Sequence, residues 1–194
     1  AADPVAELEA YDGELPIITT NRPEWEGGGR PDGDERIEEL RRALEFDSVE
    51  AVDVELGALT GSDDAQADGT TVVRTAVEND RSVIVSHHDF ETTPDLSDLA
   101  DLASQVCTVG DVGKLAVTAD TRGAVLDLLR VTHEFSAAGQ SIATMSMGTI
   151  GKHSRVVAPL YGSKLGYAPV DPDEATAPGQ YDLETMATLI ENLQ

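Results

Sequence analysis

Short runs of apolar residues alternate along this chain with longer segments in which apolar residues recur every three or four positions. Each run is about four to eight residues long, the usual length of a buried strand. Most are rich in valine and isoleucine and lack strict alternation, which is typical of strands buried on both faces. The predicted strands are Leu15–Thr20, Ala51–Leu56, Ser82–Ser86, Gly113–Val117, Ile142–Met147 and Leu165–Ala168.

The amphipathic segments between these runs are predicted to be helices. In Asp34–Phe46, the apolar residues Ile37, Leu40 and Leu44 share one face of a helix. Four more segments have a helical pattern: Asp3–Tyr11, Asp95–Val106, Thr121–Phe135 and Asp182–Leu193.

Repeated strand–helix units indicate an α/β fold with a parallel sheet, either open and doubly wound or closed as a barrel. A closed (β/α)₈ TIM barrel needs eight strands, and the pattern predicts six. Asp3–Tyr11 has the pattern of a helix that should itself follow a strand. We therefore expect residues 1–194 to form a single barrel domain that is N-terminally incomplete and lacks its first two strands.

The net charge of the chain argues against some classes of binding partner. Aspartate and glutamate number 37 against 13 lysines and arginines, for a formal net charge of -24. Such a surface repels nucleic-acid phosphates, and it is typical of proteins from salt-loving organisms, where counterions screen the repulsion. No apolar run has the roughly 18 residues of a membrane span. The single cysteine, Cys107, fits a reducing cytoplasm.

Lys114 is the first candidate for chemistry, because it lies inside a predicted strand of a chain with only three lysines. Burial lowers the pKa of a lysine, and a neutral amine can form an imine with a carbonyl. The alternative is a lysine at a strand end whose amine reaches solvent.

Polar residues follow two other predicted strands. His87 and His88 come after Ser82–Ser86, at the end of the strand where catalytic groups collect in parallel α/β folds. One of them could act as a general base, or both could be structural. Arg22 and Glu26 follow Leu15–Thr20, and they could hold an anion and orient an imidazole, or lie on the surface.

Two further features could support such a site. Asp53 and Glu55 lie two apart on a strand and hence on one face, where they could position Arg22 or Lys114 or form a structural ion pair. Later segments of the chain supply Arg155, whose guanidinium suits a carboxylate, and a polar loop over 176–180. No histidine or cysteine has the spacing of a metal site.

Taken together and in order, these segments resemble the type I 3-dehydroquinate dehydratases. The family's T-x-R-x-x-x-E-G-G motif matches Thr20–Gly28, and its D-x-E-L motif matches Asp53–Leu56. The S-x-H-D-F motif, followed by T-P, matches Ser86–Phe90 and Thr93–Pro94, and K-[IL]-A matches Lys114–Ala116. The S-M-x-x-x-G-x-x-S-R motif matches Ser146–Arg155, and A-P-G-Q matches Ala177–Gln180. The family's upstream E-x-R-x-D strand has no counterpart here, in keeping with the two missing strands.

The resemblance implies a (β/α)₈ barrel that removes water from 3-dehydroquinate in the shikimate pathway. It makes Lys114 the imine lysine, His88 the proton-transfer group and Glu26 the acid that orients this histidine. It also implies that Arg155 binds the substrate carboxylate and that Arg22 and Gln180 contact the hydroxyl or carboxylate oxygens of the substrate. Thr176 keeps the hydroxyl of the family's serine. No cofactor or metal is implied, and the family suggests a homodimer.

Two other functions are compatible with the same residues. Another Schiff-base barrel lyase, such as a class I aldolase, would share Lys114 but would not require Arg155 and Gln180 together with a histidine–glutamate pair. A non-catalytic barrel that binds small acids would need no imine. Both alternatives can be tested by trapping an imine at Lys114.

Overall fold

The computed structural model describes residues 4–62 and 64–193. The chain forms two compact units. The first runs to His87 and takes in Val109–Asp111; the second comprises His88–Thr108 and the chain from Val112 onward.

The first unit is built from parallel strands and the helices that connect them. Its elements are helix α1 (Pro4–Ala10), strand β1 (Ile17–Thr20), helix α2 (Asp34–Ala43), strand β2 (Val49–Glu55), helices α3 (Leu56–Thr60) and α4 (Thr70–Glu78), and strand β3 (Ser82–Asp89, of which the last two residues belong to the second unit). β2 pairs in parallel with both β1 and β3. The carboxyl ends of these strands therefore share one edge, the edge that carries function in parallel sheets.

Helix α2 shows how the sequence produces this layer. Ile37 and Leu40 are buried, as their spacing predicts for one face of a helix. Asp34 lies in the first turn, and Arg41 and Arg42 lie in the last, where these charges complement the helix dipole. α2 packs against α4, which packs on β2.

The second unit contains two parallel strands and the remaining helices. Its elements are α5 (Leu96–Val109, whose last residue belongs to the first unit), β4 (Val112–Thr118), α6 (Arg122–Ala137), β5 (Ile142–Met147), α7 (Gly148–Gly151), α8 (Ser154–Val157) and α9 (Leu183–Glu191). Thr121 caps α6 by accepting a hydrogen bond from Ala124 N at 3.1 Å. Asp182 caps α9 through Thr185 N at 2.9 Å. β4 and β5 are buried along almost their whole length.

One predicted strand is wrong. Residues 165–168 form no strand, although Lys164 N just before them donates to Ile142 O of β5 at 2.8 Å. The segment instead packs under α9, where a Cβ on Gly166 would come within 2.6 Å of Met186 Cε. Its apolar character therefore comes from contact with a helix, and Pro169 offers no N–H to continue a ladder.

The five other predicted strands are confirmed, with ends that differ by up to three residues. The four predicted helices that lie wholly within the described residues are confirmed too, whereas Asp3 of the predicted Asp3–Tyr11 helix lies outside them. Helix α4 was not predicted. The chain has an α/β fold with parallel strands; the closed barrel, its missing strands and the single domain stay predictions.

No helix in the part of the chain that the structure describes is long and apolar enough to cross a membrane.

Candidate active site

Arg22 lies two residues beyond the end of β1, at the centre of a group of acidic side chains in the first unit. Its Nη2 is 3.0 Å from Asp53 Oδ1, and its Nη1 is 3.0 Å from Glu55 Oε1 and 3.5 Å from Glu26 Oε2. The parallel register aligns Thr20 of β1 with Asp53 of β2, which brings Arg22 to these acids. Asp53 and Glu55 thus face the same way, as their spacing predicts, and both hold Arg22.

Ser86 of β3 completes this group, which we call the Arg22 cluster (Arg22, Glu26, Asp53, Glu55 and Ser86). Its hydroxyl accepts a hydrogen bond from Arg22 Nη1 at 2.8 Å and donates one to Asp53 Oδ1 at 2.6 Å. Burial by itself lowers the pKa of Arg22, but Asp53, Glu55 and Glu26 outweigh burial and hold the pKa above its ordinary value. Arg22 is therefore a permanent and well-oriented cation.

The paired glycines after Glu26 allow the chain to return over Arg22. Glu24–Glu26 forms one turn of 3-10 helix, and Gly27 ends it in the left-handed conformation at φ 76°. A Cβ on Gly28 would come within 1.9 Å of the Arg22 carbonyl oxygen. Glycine is required here by close backbone approach, and this turn buries Glu26 to 4% exposure.

The two histidines have different surroundings. In the first unit, His87 Nδ1 lies 3.9 Å from Glu26 Oε1, an ion pair only when the imidazole is protonated. In the second unit, the His88 ring lies nearly parallel to that of Phe90, with 6.5 Å between ring centroids and an interplanar angle of 19°. Both histidines are half-buried. The assignment of proton transfer to His88 stays a prediction.

Lys114 is the third residue of β4 and is buried, with 5% of its surface exposed. Its Cα pairs with that of Ala143, the second of six residue pairs in the β4–β5 ladder. The alternative of a strand-end lysine that reaches solvent is therefore wrong. Nζ lies 4.4 Å from the centroid of the Tyr167 ring, where the π face stabilises a positive charge.

Arg155 lies in α8 and is 4% exposed. Its Nη2 donates to Pro178 O at 3.2 Å, and its Nε has no hydrogen-bond partner among the described residues. Burial lowers the pKa of Arg155. The structure shows no carboxylate paired with it within residues 4–62 and 64–193, so its guanidinium has the capacity to bind an anion.

The loop over 176–180 is folded on its own glutamine. Gln180 Oε1 accepts hydrogen bonds from Thr176 N at 2.8 Å and Ala177 N at 3.1 Å. These donors identify the amide oxygen and leave the Nε2 group as the donor that Gln180 can offer a ligand. Pro178 O also accepts from Gly148 N at 3.3 Å, and this contact and the Arg155 bond hold the loop against α7 and α8.

Three of the predicted ligand groups of the second unit are thus close together: Arg155, Thr176 and Gln180. Arg155 and Tyr167 border the same narrow gap in the packing, and Tyr167 in turn contacts Lys114. No group of histidine, cysteine, aspartate and glutamate side chains within the described residues could hold a metal ion. The arrangement supplies an amine, a cation for an acid group and an amide donor.

The model of the family described as Type I 3-dehydroquinase matches residues 2–194. The chain belongs to this family. A 3-dehydroquinate dehydratase from Halobacterium salinarum is 55% identical over 194 residues, which is 100% of this chain and 85% of the relative. The enzyme from Haloarcula marismortui is 52% identical, again over the whole chain and over 84% of the relative. Both relatives come from halophilic archaea, as the acidic composition suggested.

The fold agrees with that of a solved member of the family. The crystal structure of 3-dehydroquinate dehydratase from Geobacillus kaustophilus superimposes with a TM-score of 0.84 at 26% identity, over 99% of this chain and 77% of that one. This chain therefore has the α/β fold of a type I 3-dehydroquinase.

Sequence reasoning missed two residues next to the predicted site. Tyr167 was not singled out, because its segment was taken for a strand; a tyrosine in a chain with only 4% aromatic residues was the available signal. Arg36 looked like one of several arginines on an acidic helix, yet its side chain is 1% exposed. Its position four residues before the buried Leu40, on the same face of the helix, was a weak sign of burial.

Proposed function

We propose that this type I 3-dehydroquinase removes water from 3-dehydroquinate to give 3-dehydroshikimate, in the shikimate pathway, through an imine on Lys114. The observation that carries the proposal is the burial of Lys114 in the middle of a strand, within the family's K-[IL]-A motif and against an aromatic face. A dry site favours an amine that can attack a carbonyl, and the π face favours the iminium cation that forms.

The reaction proceeds in four steps. The Lys114 amine attacks the ketone carbon of the substrate, and the ketone oxygen takes one proton from the amine and one from solvent and leaves as water, which gives an iminium ion. The iminium withdraws electrons from the adjacent C–H bond, and His88 takes that proton. The neighbouring C–O bond then breaks, and the hydroxyl takes the proton from His88 and leaves as water. In the fourth step, water hydrolyses the iminium ion and releases the product, the neutral Lys114 amine and the proton taken up in the first step.

The other residues bind and orient the substrate. Arg155 binds the carboxylate, since it is a buried cation with a free Nε donor. Gln180 donates from Nε2 to a substrate oxygen, and Thr176 lies beside it. Arg22 contacts substrate oxygens and Glu26 orients His88, as the family motif implies. The reaction needs no cofactor, because the protein imine is the electron sink.

Three further expectations accompany this function: a closed (β/α)₈ barrel and a homodimer, which follow from the family resemblance, and a cytoplasmic location, which the single cysteine favours. They belong to the same proposal, and none of them is needed for the test below.

The test is to trap the imine and to measure dehydration in the same protein. We expect incubation with 3-dehydroquinate and borohydride to leave a stable mass increase on Lys114, located by peptide mapping, and turnover to produce the conjugated enone absorbance of the product. Lys114→Met should lower kcat by about 10³-fold or more and abolish the adduct. Lys164→Met, at an exposed lysine, is the matched control and should change neither.

The possible outcomes separate the alternatives. An adduct on Lys114 without any dehydration product would indicate another Schiff-base lyase, such as a class I aldolase. Full turnover by Lys114→Met, or the absence of any adduct in an active protein, would overturn the imine mechanism. Substrate binding with neither adduct nor turnover would indicate a barrel that only binds small acids.

A further inference from the structure

Arg36 is a buried arginine near the start of helix α2, whose two other arginines, Arg41 and Arg42, are exposed. Its side chain is 1% exposed, whereas that of Arg42 is 62% exposed. A buried guanidinium is unfavourable unless it is paired and hydrogen-bonded. Arg36 is paired with two carboxylates and donates to one backbone carbonyl, all in the first unit, while its Nη2 has no hydrogen-bond partner among the described residues. The arrangement of these partners indicates what Arg36 does.

One of these carboxylates is shared with Arg22. Glu55 Oε2 accepts from Arg36 Nη1 at 2.9 Å, while Glu55 Oε1 accepts from Arg22 Nη1 at 3.0 Å. Burial raises the pKa of Glu55, and the two arginines only partly offset this effect. Arg36 thus helps to keep Glu55 ionised, and it fixes the orientation of the Glu55 carboxylate that accepts from Arg22.

Arg36 also holds the backbone that carries Arg22. Its Nη1 donates to Asn21 O at 2.9 Å, and Asn21 immediately precedes Arg22. The backbone next to Arg22 and the Glu55 carboxylate that pairs with it are therefore both held by the same buried guanidinium.

The second carboxylate extends the network to the turn that carries Glu26. Asp32 Oδ1 accepts from Arg36 Nε at 3.0 Å, and its Oδ2 accepts from Trp25 Nε1 at 3.2 Å and from Gln66 N at 2.7 Å. Burial by itself raises the pKa of Asp32, but these hydrogen bonds outweigh it and hold the pKa below its ordinary value. Asp32 is thus an ionised link between Arg36 and the residue next to Glu26.

We propose that Arg36 is a positioning residue for substrate binding: through Glu55, Asp32 and Asn21 it sets the geometry and the net charge of the Arg22 cluster. The inference rests on the proposed function, in which Arg22 contacts the substrate. Removal of Arg36 leaves Glu55 to pair with Arg22 alone, so that three carboxylates neutralise one guanidinium. Arg22 is then a weaker and less well-oriented ligand for substrate oxygens.

The kinetic test compares Arg36→Met with Arg42→Met, a loss of charge at an exposed position of the same helix. We expect Arg36→Met to raise KM for 3-dehydroquinate by about 10- to 100-fold, as small displacements of a binding group do, with a smaller change in kcat. Arg42→Met should match the wild type. An unchanged KM in Arg36→Met, with only a lower melting temperature, would show that Arg36 is merely structural.

A double-mutant cycle determines whether Arg36 acts through Arg22. In an Arg22→Lys background, Arg36→Met should raise KM by no more than about threefold, because the geometry it supports is already lost. A multiplicative increase in the double variant would overturn the inference. If Arg36→Met does not fold, Arg36→Lys serves in its place: it keeps the charge, loses the fork of donors, and should raise KM in the same direction.

A measurement without substrate keeps this inference separate from the proposed function. In ¹H–¹⁵N spectra, the Arg22 Nε–H signal, assigned by its loss in Arg22→Lys, should shift and broaden in Arg36→Met and stay unchanged in Arg42→Met. No dehydration by the wild type would contradict the proposed function alone. An unperturbed Arg22 signal in Arg36→Met would contradict the role of Arg36 whatever the activity.

Discussion

Among the described residues, three cations of the predicted site are stabilised in three different ways. Arg22 is surrounded by carboxylates and a hydroxyl. Lys114 lies over an aromatic ring. Arg155 donates to a peptide carbonyl and keeps a buried donor without a partner in the described residues. Because a buried charge that lacks a counter-charge is unfavourable by several kcal/mol, Arg155 is the cation that a substrate carboxylate would stabilise most.

The ring of Tyr167 should matter more than its hydroxyl. A cation over an aromatic face gains about 0.5 to 2 kcal/mol, and in the proposed reaction the cation over the ring becomes an iminium. We therefore expect Tyr167→Leu to lower kcat by about 2- to 30-fold, measured by steady-state kinetics, together with a slower approach to the borohydride-trapped adduct.

Tyr167→Phe is the matched control, since it keeps the π face and loses only the oxygen. It should retain kcat within about threefold. Equal losses in the two variants would mean that the hydroxyl, and not the ring, is the group that acts on Lys114.

At the scale of elements, the strands were the most predictable part of the fold. Runs rich in valine and isoleucine correctly located β1 to β5. Most of β2 to β5 is buried, as expected of strands covered on both faces, whereas β1 alternates between partly buried and exposed residues. The prediction of a strand over 165–168 was wrong, because four apolar residues that pack under α9 have the same composition as a short strand. Arg22, His88 and Lys114 could be placed near strands from this pattern alone.

The loop over 177–180 depends on a glycine in a left-handed conformation. Gly179 has φ 78°, and a Cβ there would come within 2.7 Å of Gly148 O. We expect Gly179→Ala to displace the loop from α7 and to raise KM for 3-dehydroquinate by about tenfold or more, because Gln180 and the Pro178 carbonyl that holds Arg155 move with it. Steady-state kinetics measure this effect.

Gly139→Ala separates backbone strain from loop displacement. Gly139 also has a positive φ, of 85°, but a Cβ there meets no atom within 4 Å. This variant should lose about 1 kcal/mol of stability from strain, with an unchanged KM. A similar KM increase in both variants would show that destabilisation, and not the position of the loop, is responsible.

At the scale of the whole molecule, the main feature is the excess of negative charge. A formal net charge of -24 on 194 residues produces a self-repulsion that favours expansion in dilute salt. The Debye length falls from about 10 Å at 0.1 M salt to about 3 Å at 1 M, so counterions should relieve most of this repulsion at molar concentrations.

We therefore expect the melting temperature to rise by about 5 °C or more between dilute and molar potassium chloride, which corresponds to about 1 to 2 kcal/mol. Circular dichroism measures the transition. Sucrose at the same osmolality is the control, because it is excluded from protein surfaces but screens no charge. Equal melting temperatures in dilute and molar salt would contradict the proposed adaptation.

The sequence by itself determined the class of fold, the acidic surface and the order of the motifs, because strand patterning, net charge and motif spacing are local properties of the chain. It also placed Arg22, Glu26, Lys114, Arg155 and Gln180 in named segments. It could not distinguish a solvent-reaching Lys114 from a buried one, or decide whether Asp53 and Glu55 hold Arg22.

Those points depend on residues that are distant in the chain and meet only in the folded protein. The register of β1 on β2 brings Arg22 to its carboxylates. Its partners Asp53, Glu55 and Ser86 lie 31 or more positions further along the chain. Burial of Arg36 and the contact between Lys114 and Tyr167 likewise follow from packing, which no local pattern encodes. The tertiary structure thus decided which charges are paired, and that pairing determines what each of them can do.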